Sequence, residues 1–257
     1  MTVPGCLIAP MLSVGDLVFC DSADFDASND YMTRGADLTG SADGKQGTFS
    51  CWLRLDGGNG SALWIFDSTT TVGGSTYRFK VNRLSTNVFS VVARNSAGTE
   101  ILDLSTAATY TSGATWLHLL AAWDLATPGA RFIYINDAAD LTVNTFTDDT
   151  IDYTVADWGI GALPNAFGKF NGCMAELWFT PTYIDISVEA NRRKFINSDG
   201  KPVNLGSDGS TPTGTAALVY QHLDDGEAAA NFATNRGSGG AFTITGSLAT
   251  GSTSPSD

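Results

Sequence analysis

Apolar and polar positions alternate along much of this chain, and that period of two predicts strands. In "FSCWLRL", Phe49, Cys51, Leu53 and Leu55 share one face, while Ser50, Trp52 and Arg54 share the other. "YRFKV" sets Tyr77, Phe79 and Val81 opposite Arg78 and Lys80. Further strand-like runs lie at 62–66, 87–93, 174–179, 217–223 and 241–246. Clusters such as "DGGNGS" and "SAGTE" separate them, and these are turn chemistry.

Residues 116–123, "WLHLLAAW", are apolar on both faces, which predicts a strand covered on both sides. "RFIYIND" alternates again, with Phe132 and Tyr134 opposite Ile133 and Ile135, and the intervening "ATPGA" is short enough for a hairpin. The predicted core includes Trp52, Leu119, Ala121, Trp123, Ile133, Leu177 and Phe179. One segment reads as a helix, 187–197, with Ser187 as N-cap and Glu189 near the positive end of the dipole. Arg192, Arg193 and Lys194 fall near its C-terminal end, as helix-end charge or, alternatively, as a docking surface. A long polar connection follows, and the tail from 246 reads as extended or loosely held. Many strands, regular turns and one short helix predict an all-β fold, a two-sheet antiparallel sandwich of jelly-roll type.

Composition narrows the possibilities. With 257 residues the chain suits one all-β domain, and only 16% of its residues are charged, against roughly 25% in a typical globular chain. Its 27 Asp and Glu against 14 Lys and Arg give a net charge of −13. That excludes the basic footprint needed for nucleic acid or an anionic membrane surface. The first twenty residues lack a basic region, and Pro4, Pro10 and Asp16 break their apolar run, so neither a secretory signal nor membrane insertion is expected. Leu7, Ile8, Met11, Leu12, Leu17, Val18 and Phe19 make segment 1–24 too apolar to stand in water, and it is expected to pack on the sandwich or on a partner. Cys6, Cys20, Cys51 and Cys173 match no zinc spacing and are expected to be free thiols.

Reactive signatures are sparse. A glycosidase needs two carboxyl groups about 5–5.5 Å apart, or roughly 6.5–9.5 Å for inversion. "TDDTID" holds Asp148, Asp149 and Asp152 but reads as a turn, and Glu176 stands alone in "MAELWF". His118 and His222 lie in apolar runs and read as core histidines. There is no nucleophile elbow and no phosphate loop. No catalytic residue is assigned, and a non-enzyme is expected.

The order of the blocks resembles a known family. "FDASNDYM" (25–32), "GTFSCWLRL" (47–55), "WLHLLAAWD" (116–124), "RFIYIND" (131–137) and "FNGCMAELWF" (170–179) resemble, in order, the strands of laminin G-like domains. Asp137 stands where that family usually has glycine. The resemblance covers 25–184 and implies the concanavalin A-like lectin/glucanase jelly roll, with 185–257 as an extension in the same globular unit. The extension resembles one found in laminin G-like proteins encoded by tailed bacteriophages. This implies a virion protein: a tail, fibre or head-decoration component. Its partners would be other virion proteins, host or environmental polysaccharide, and further copies of itself. A purely structural decoration protein is the alternative, and a polysaccharide-cleaving enzyme a more distant one.

Lectin sites pair an aromatic face with Asn and Asp hydrogen-bonding groups on loops. "GALPNAFGKFNG" (161–172) offers Asn165, Phe167 and Asn171, and Asp157 and Trp158 just before it complete a glycan set; alternatively Phe167 and Phe170 pin the loop. No cofactor is required. Calcium is possible by resemblance, with Asp124, Asp137 and Asp140 near turns as candidate ligands.

Overall fold

The computed structural model describes residues 20–257. The apolar segment expected to pack on the sandwich, and Cys6 within it, lie outside the described residues except for its last few positions. The strands, in chain order, are β1 (Ala23–Asp26), β2 (Tyr31–Thr33), β3 (Gln46–Leu55), β4 (Leu63–Thr69), β5 (Tyr77–Arg83) and β6 (Phe89–Arg94). They continue with β7 (Glu100–Ser105), β8 (Leu117–Asp124), β9 (Arg131–Ile135), β10 (Ala138–Ala139), β11 (Thr142–Phe146) and β12 (Asp157–Ile160). The last are β13 (Asn171–Thr180), β14 (Val219–Gln221), β15 (Thr243–Thr245) and β16 (Ala249–Thr250).

These form two antiparallel sheets. The first runs β10-β9-β8-β3-β13-β1-β16, with β14 also paired to β13; the second runs β11-β7-β6-β5-β4-β12-β2-β15. Alternation decides which side chains meet between them. Phe49, Cys51, Leu53 and Leu55 of β3 and Leu119, Ala121 and Trp123 of β8 face Phe66, Phe79, Val81 and Val91 of the second sheet in one continuous core. Phe79 lies 5.3 Å from Phe179 and 5.5 Å from Trp123, so aromatic contacts link the layers.

The second apolar face of β8 has its own cover. Leu120 and Ala122, with Trp178 and Tyr220, pack under Ile184, Ile186, Phe195, Val203, Leu205 and Ala217. Residues 184–217 thus form a third layer on the outside of the first sheet, and this is why "WLHLLAAW" carries no polar face. Trp52 is buried as expected but on that outer side, with Cys20, Ala175 and Ile196, rather than between the sheets. Cys20, Cys51 and Cys173 are buried and free.

The helix is much shorter than 187–197. Its α-helical part, α1, is Glu189–Arg192; Val188 rather than Ser187 precedes it, and no side chain caps it. Tertiary contacts override the local propensity. Arg192 Nε donates to Asp137 Oδ1 at 2.5 Å and Arg193 Nη2 reaches Asp137 Oδ2 at 2.7 Å, while Phe195 turns down into the outer layer. Nor is the tail loose. β16 pairs with β1, and Ser254 and Pro255 are buried, the Ser254 hydroxyl donating to the carbonyl of Cys20.

Candidate functional site

Residues 161–170 leave β12 and fold back over the outer face of the second sheet. Gly168 makes this possible: its φ of +68° suits glycine, and a Cβ there would lie 2.2 Å from Trp64 Cε3. Trp64 N donates to Gly168 O at 2.8 Å, which fastens the loop to β4. The turn is closed by Ala166 N to Leu163 O and by Leu163 N to Phe167 O, at 2.7 and 3.0 Å. The result is an aromatic ring held outward. Phe167 is 60% exposed, and it meets the Trp64 ring edge-on at 5.4 Å. Beside it opens a cleft of about 510 Å3, lined among others by Ser61, Ser85, Phe167 and Lys169.

Next to Trp64 in the sheet register stands Asn82 of β5. Both side chains point away from the inter-sheet core, since Phe79 and Val81 of the same strand point into it. Both are buried, yet the Trp64 indole N–H and both polar atoms of the Asn82 amide find no hydrogen-bond partner among the described residues. Lys80 Nζ lies 5.8 Å from the Trp64 ring centre and 4.3 Å from that of Tyr77, and Arg94 stacks on Tyr77 from beyond at 3.9 Å. Burial, then the charge of Arg94, holds the Lys80 ammonium below its ordinary pKa. Asp67, fully buried on β4, has no partner for either oxygen among the described residues, and burial together with Asp157 pushes its carboxyl well above the usual range. Aromatic rings, an uncommitted amide and a cation thus lie along one sheet face behind Phe167.

The structure divides the five residues of the expected glycan set. Asn165 and Phe167 lie exposed on the loop, where Asn165 Oδ1 accepts from the Phe167 N–H at 3.2 Å. Asn171 opens β13 and is half-buried, its amide packed against Gly57. Asp157 and Trp158 are buried elsewhere. Asp157 accepts from the N–H groups of Gly35 and Gly73 at 2.7 and 2.9 Å, and so ties two loops to the sheet. Trp158 stacks on Phe66 within the core and donates to Asp37. Trp64, Asn82 and Lys80 belong to the same surface, but they become neighbours only through the pairing of β4 with β5.

The three aspartates considered for calcium do not converge. Asp124 accepts from Gln46 Nε2, the Ala126 N–H and the Thr127 hydroxyl. Asp137 is held by Arg192 and Arg193; burial pushes its carboxyl up, but the two guanidinium groups outweigh it and leave the carboxyl below the usual range. Asp140 accepts from the Ala107 N–H and the Tyr110 hydroxyl, each at 2.6 Å. Each carboxylate is already committed to other partners, and together they do not fit a calcium site of six to eight oxygens. A different trio, Asp24, Asp56 and Cys173, brings its ligand atoms within 4.8 Å of one another, but Arg54 takes both oxygens of Asp56 at 2.8 Å.

Glu176 is buried at a bulge in β13 and has a positive φ of 51°. Its carboxylate accepts from the Tyr220 hydroxyl at 2.8 Å and meets Nδ1 of His222, whose Nε2 contacts Asp224 at 3.0 Å.

A family model described as the concanavalin A-like lectin/glucanases superfamily matches residues 26–183, more than half of the chain. Among solved structures, a candidate carbohydrate binding protein from Bacteroides ovatus aligns with a TM-score of 0.61 at 15% identity, covering 92% of this chain and 61% of the other. This chain therefore spans about three fifths of that protein's length. A SAP-like pentraxin from Limulus polyphemus aligns less closely, with a TM-score of 0.46 at 14% identity over 64% of this chain and 77% of the other. The LG1-3 region of the laminin alpha2 chain gives 0.44 at 16% identity, over 65% and 32%. Among curated proteins nothing matches. The ordered strand blocks, the two sheets they build and the match over 26–183 place this chain in the laminin G-like branch of the concanavalin A-like lectin/glucanases superfamily.

Proposed function

We propose that this protein binds glycans at the Phe167 corner and that it does so as a non-enzymatic component of a bacteriophage particle. The observation that carries the binding reading is the outward ring of Phe167 held on Trp64, beside a cleft lined by Ser61, Ser85 and Lys169. A sugar offers C–H faces to an aromatic ring and hydroxyls to the Ser61, Ser85 and Lys169 side chains, so the chemistry is complementary. The family and the Bacteroides ovatus structure, named for carbohydrate binding, agree with this reading. The virion context is supported by the resemblance of the extension after residue 185, the region that supplies the outer layer over the first sheet. Attachment to other virion proteins, in several copies, would leave the Phe167 corner facing outward.

The non-enzyme reading is supported by Glu176. Its carboxylate is 2% exposed and bonded to Tyr220 and His222, so it does not face a cleft that a glycosidic oxygen could enter.

A glycan array probed with purified protein and with a Phe167→Ala variant tests the proposal. Losing the ring is expected to weaken binding about tenfold, the equivalent of roughly 1.4 kcal/mol, without changing the fold. Equal binding by both proteins would remove this corner as the site. No glycan binding, combined with immunogold labelling of the particle, would leave structural decoration as the role. Release of reducing ends from bacterial surface polysaccharide that vanishes in Glu176→Gln would overturn the non-enzyme reading.

A further inference from the structure

A groove crosses the opposite side of the sandwich, over the outer face of the first sheet. It consists of two adjoining hollows of about 460 and 530 Å3 that share Ala114 and Thr253 as lining. Trp52 and Arg54, alternate residues of β3, form its floor. Loop 112–116 forms one wall and segment 252–257 the other, with Asn136 and Lys201 at one end.

The floor is firmly built. Trp52 stacks on His118 at 4.7 Å and 27°, and His118 Nε2 is bonded to Ser50 Oγ at 2.9 Å. Trp116, half-exposed, stands on the wall. Arg54 is aimed by its two bonds to Asp56, which leave Nη1 free to turn toward the groove. What meets it there is a side-chain hydroxyl. Thr253 Oγ1 accepts from Arg54 Nη1 at 2.6 Å and from Trp116 Nε1 at 3.2 Å, and Ser252 Oγ accepts from the same Nη1 at 3.2 Å. The strap thus spans the groove at its middle and places hydroxyl oxygens where two aromatic-flanked donors converge.

The ligand class follows from this lining. The cations Arg54 and Lys201 are balanced by the carboxylates of Asp56 and Asp257, so neither sign of charge dominates. β3 lies inside the sheet with β8 and β13 on its two sides, so it has no free backbone edge on which an extended peptide could add as a strand. The half-exposed indole of Trp116, a guanidinium, an ammonium and an amide suit a chain of neutral sugars, with a C–H face for the ring and hydroxyls for the donors.

We propose that this groove is a second, separate glycan site for a neutral oligosaccharide, and that strap 252–255 occupies it through Thr253 until a sugar hydroxyl takes the place of the threonine hydroxyl. The site is independent of the Phe167 corner.

The test uses the full chain carrying Phe167→Ala, which silences the other corner, with maltohexaose, cellohexaose and chitohexaose as probes. Calorimetry and tryptophan fluorescence should show binding of at least one hexaose. Trp116→Ala should weaken it about tenfold at unchanged melting temperature. Thr253→Val removes the competing hydroxyl and should strengthen it by about two- to tenfold, the worth of one hydrogen bond. Should Trp116→Ala fail to fold, Trp116→Phe keeps the ring, loses the donor and should weaken binding less than tenfold but measurably. Binding by none of the hexaoses, or equal affinity in the Trp116 variant, overturns the site. Affinity unchanged or lowered by Thr253→Val overturns the strap.

Discussion

Glu176 and His222 are bonded to each other beneath the outer layer of the first sheet, and each is almost wholly buried. The pair exists because a bulge between Ala175 and Trp178 turns Glu176 to the same side as Tyr220 and His222. Asp224 completes the histidine's contacts from the rim, and Arg236 bonds Asp224 in turn at 2.9 Å. Buried polar atoms are thereby paired in a place where leaving them without partners would be costly.

This pair predicts how stability changes with pH. Burial pulls the His222 imidazole down, but its bonds to Glu176 and Asp224 outweigh burial and leave it raised above its ordinary value. A raised histidine stabilises the fold fully below its unfolded pKa of about 6.5, and that contribution is lost as pH rises through the folded value. His118 acts in the opposite sense. Burial drives its pKa down to about 3, so its contribution is present above about 6.5 and is lost as pH falls from there toward 3. The melting temperature should therefore decline on both sides of about pH 6.5. His222→Gln should flatten the alkaline side, and His118→Gln should make the acid side shallower. Parallel profiles for wild type and His222→Gln above pH 6.5 would refute the assignment.

Leu119 sits fully buried between the sheets, on the face of β8 toward Phe79 and its neighbours. Leu119→Ala should cost about 2–5 kcal/mol in a urea titration, through lost transfer energy and a residual cavity. Val143→Ala, on the exposed side of β11, should stay within about 0.5 kcal/mol. Similar midpoints for the two variants would show that β8 is not the centre of the core.

Gly172 has a φ of +145°, and a Cβ built on it would stand 1.9 Å from the carbonyl oxygen of Arg54. The approach of β13 to β3 at Gly172 and Leu55 needs a residue without a side chain. Gly172→Ala should destabilise well beyond the roughly 1 kcal/mol of an average substitution. Gly113→Ala, where a Cβ meets nothing within 4 Å, is the control. Equal melting curves for the two variants would contradict the close approach.

Asp137 anchors α1 to the β9–β10 turn through Arg192 and Arg193. Asp137→Ala should leave the sandwich folded but expose the chain near residues 186–200 to proteolysis. Limited trypsin digestion reads this directly, with new cleavage after Arg192, Arg193 or Lys194. Unchanged digestion would mean that apolar packing of Phe195 and Ile186 alone holds the segment.

The strands legible in the sequence were the long ones with a clear period. β3, β5, β8, β9 and β13 carry their alternation or continuous apolarity within five to ten residues. β1, β2, β12 and β16 have two to four residues each, and their existence depends on partners far away in sequence. That is also why Trp158 reads as part of the loop in sequence: only the pairing of β12 with β4 and β2 turns it into the core. Of the candidate glycan set, Asn165 and Phe167 were legible because turn residues flank an aromatic that no strand claims. Trp64 and Asn82 were not, because their adjacency is a property of sheet register. The tail reads as loose in sequence for a related reason. Its Ser and Thr residues look solvated in sequence, but they serve Arg54, Trp116 and Cys20 in the fold.

The first sheet also constrains the order in which the molecule can be made. β1, at residues 23–26, pairs with β13, which arrives about 150 residues later, and on its other edge with β16 at 249–250. During synthesis the early strand must wait, unpaired, for nearly the whole chain to leave the ribosome. Contacts this distant in sequence close slowly, since the loop entropy is lost before the pairing is gained. The second sheet can begin sooner, because β4, β5, β6 and β7 pair in succession as they emerge. Assembly should thus run from the β4–β7 meander outward, with the β1–β16 seam sealed last.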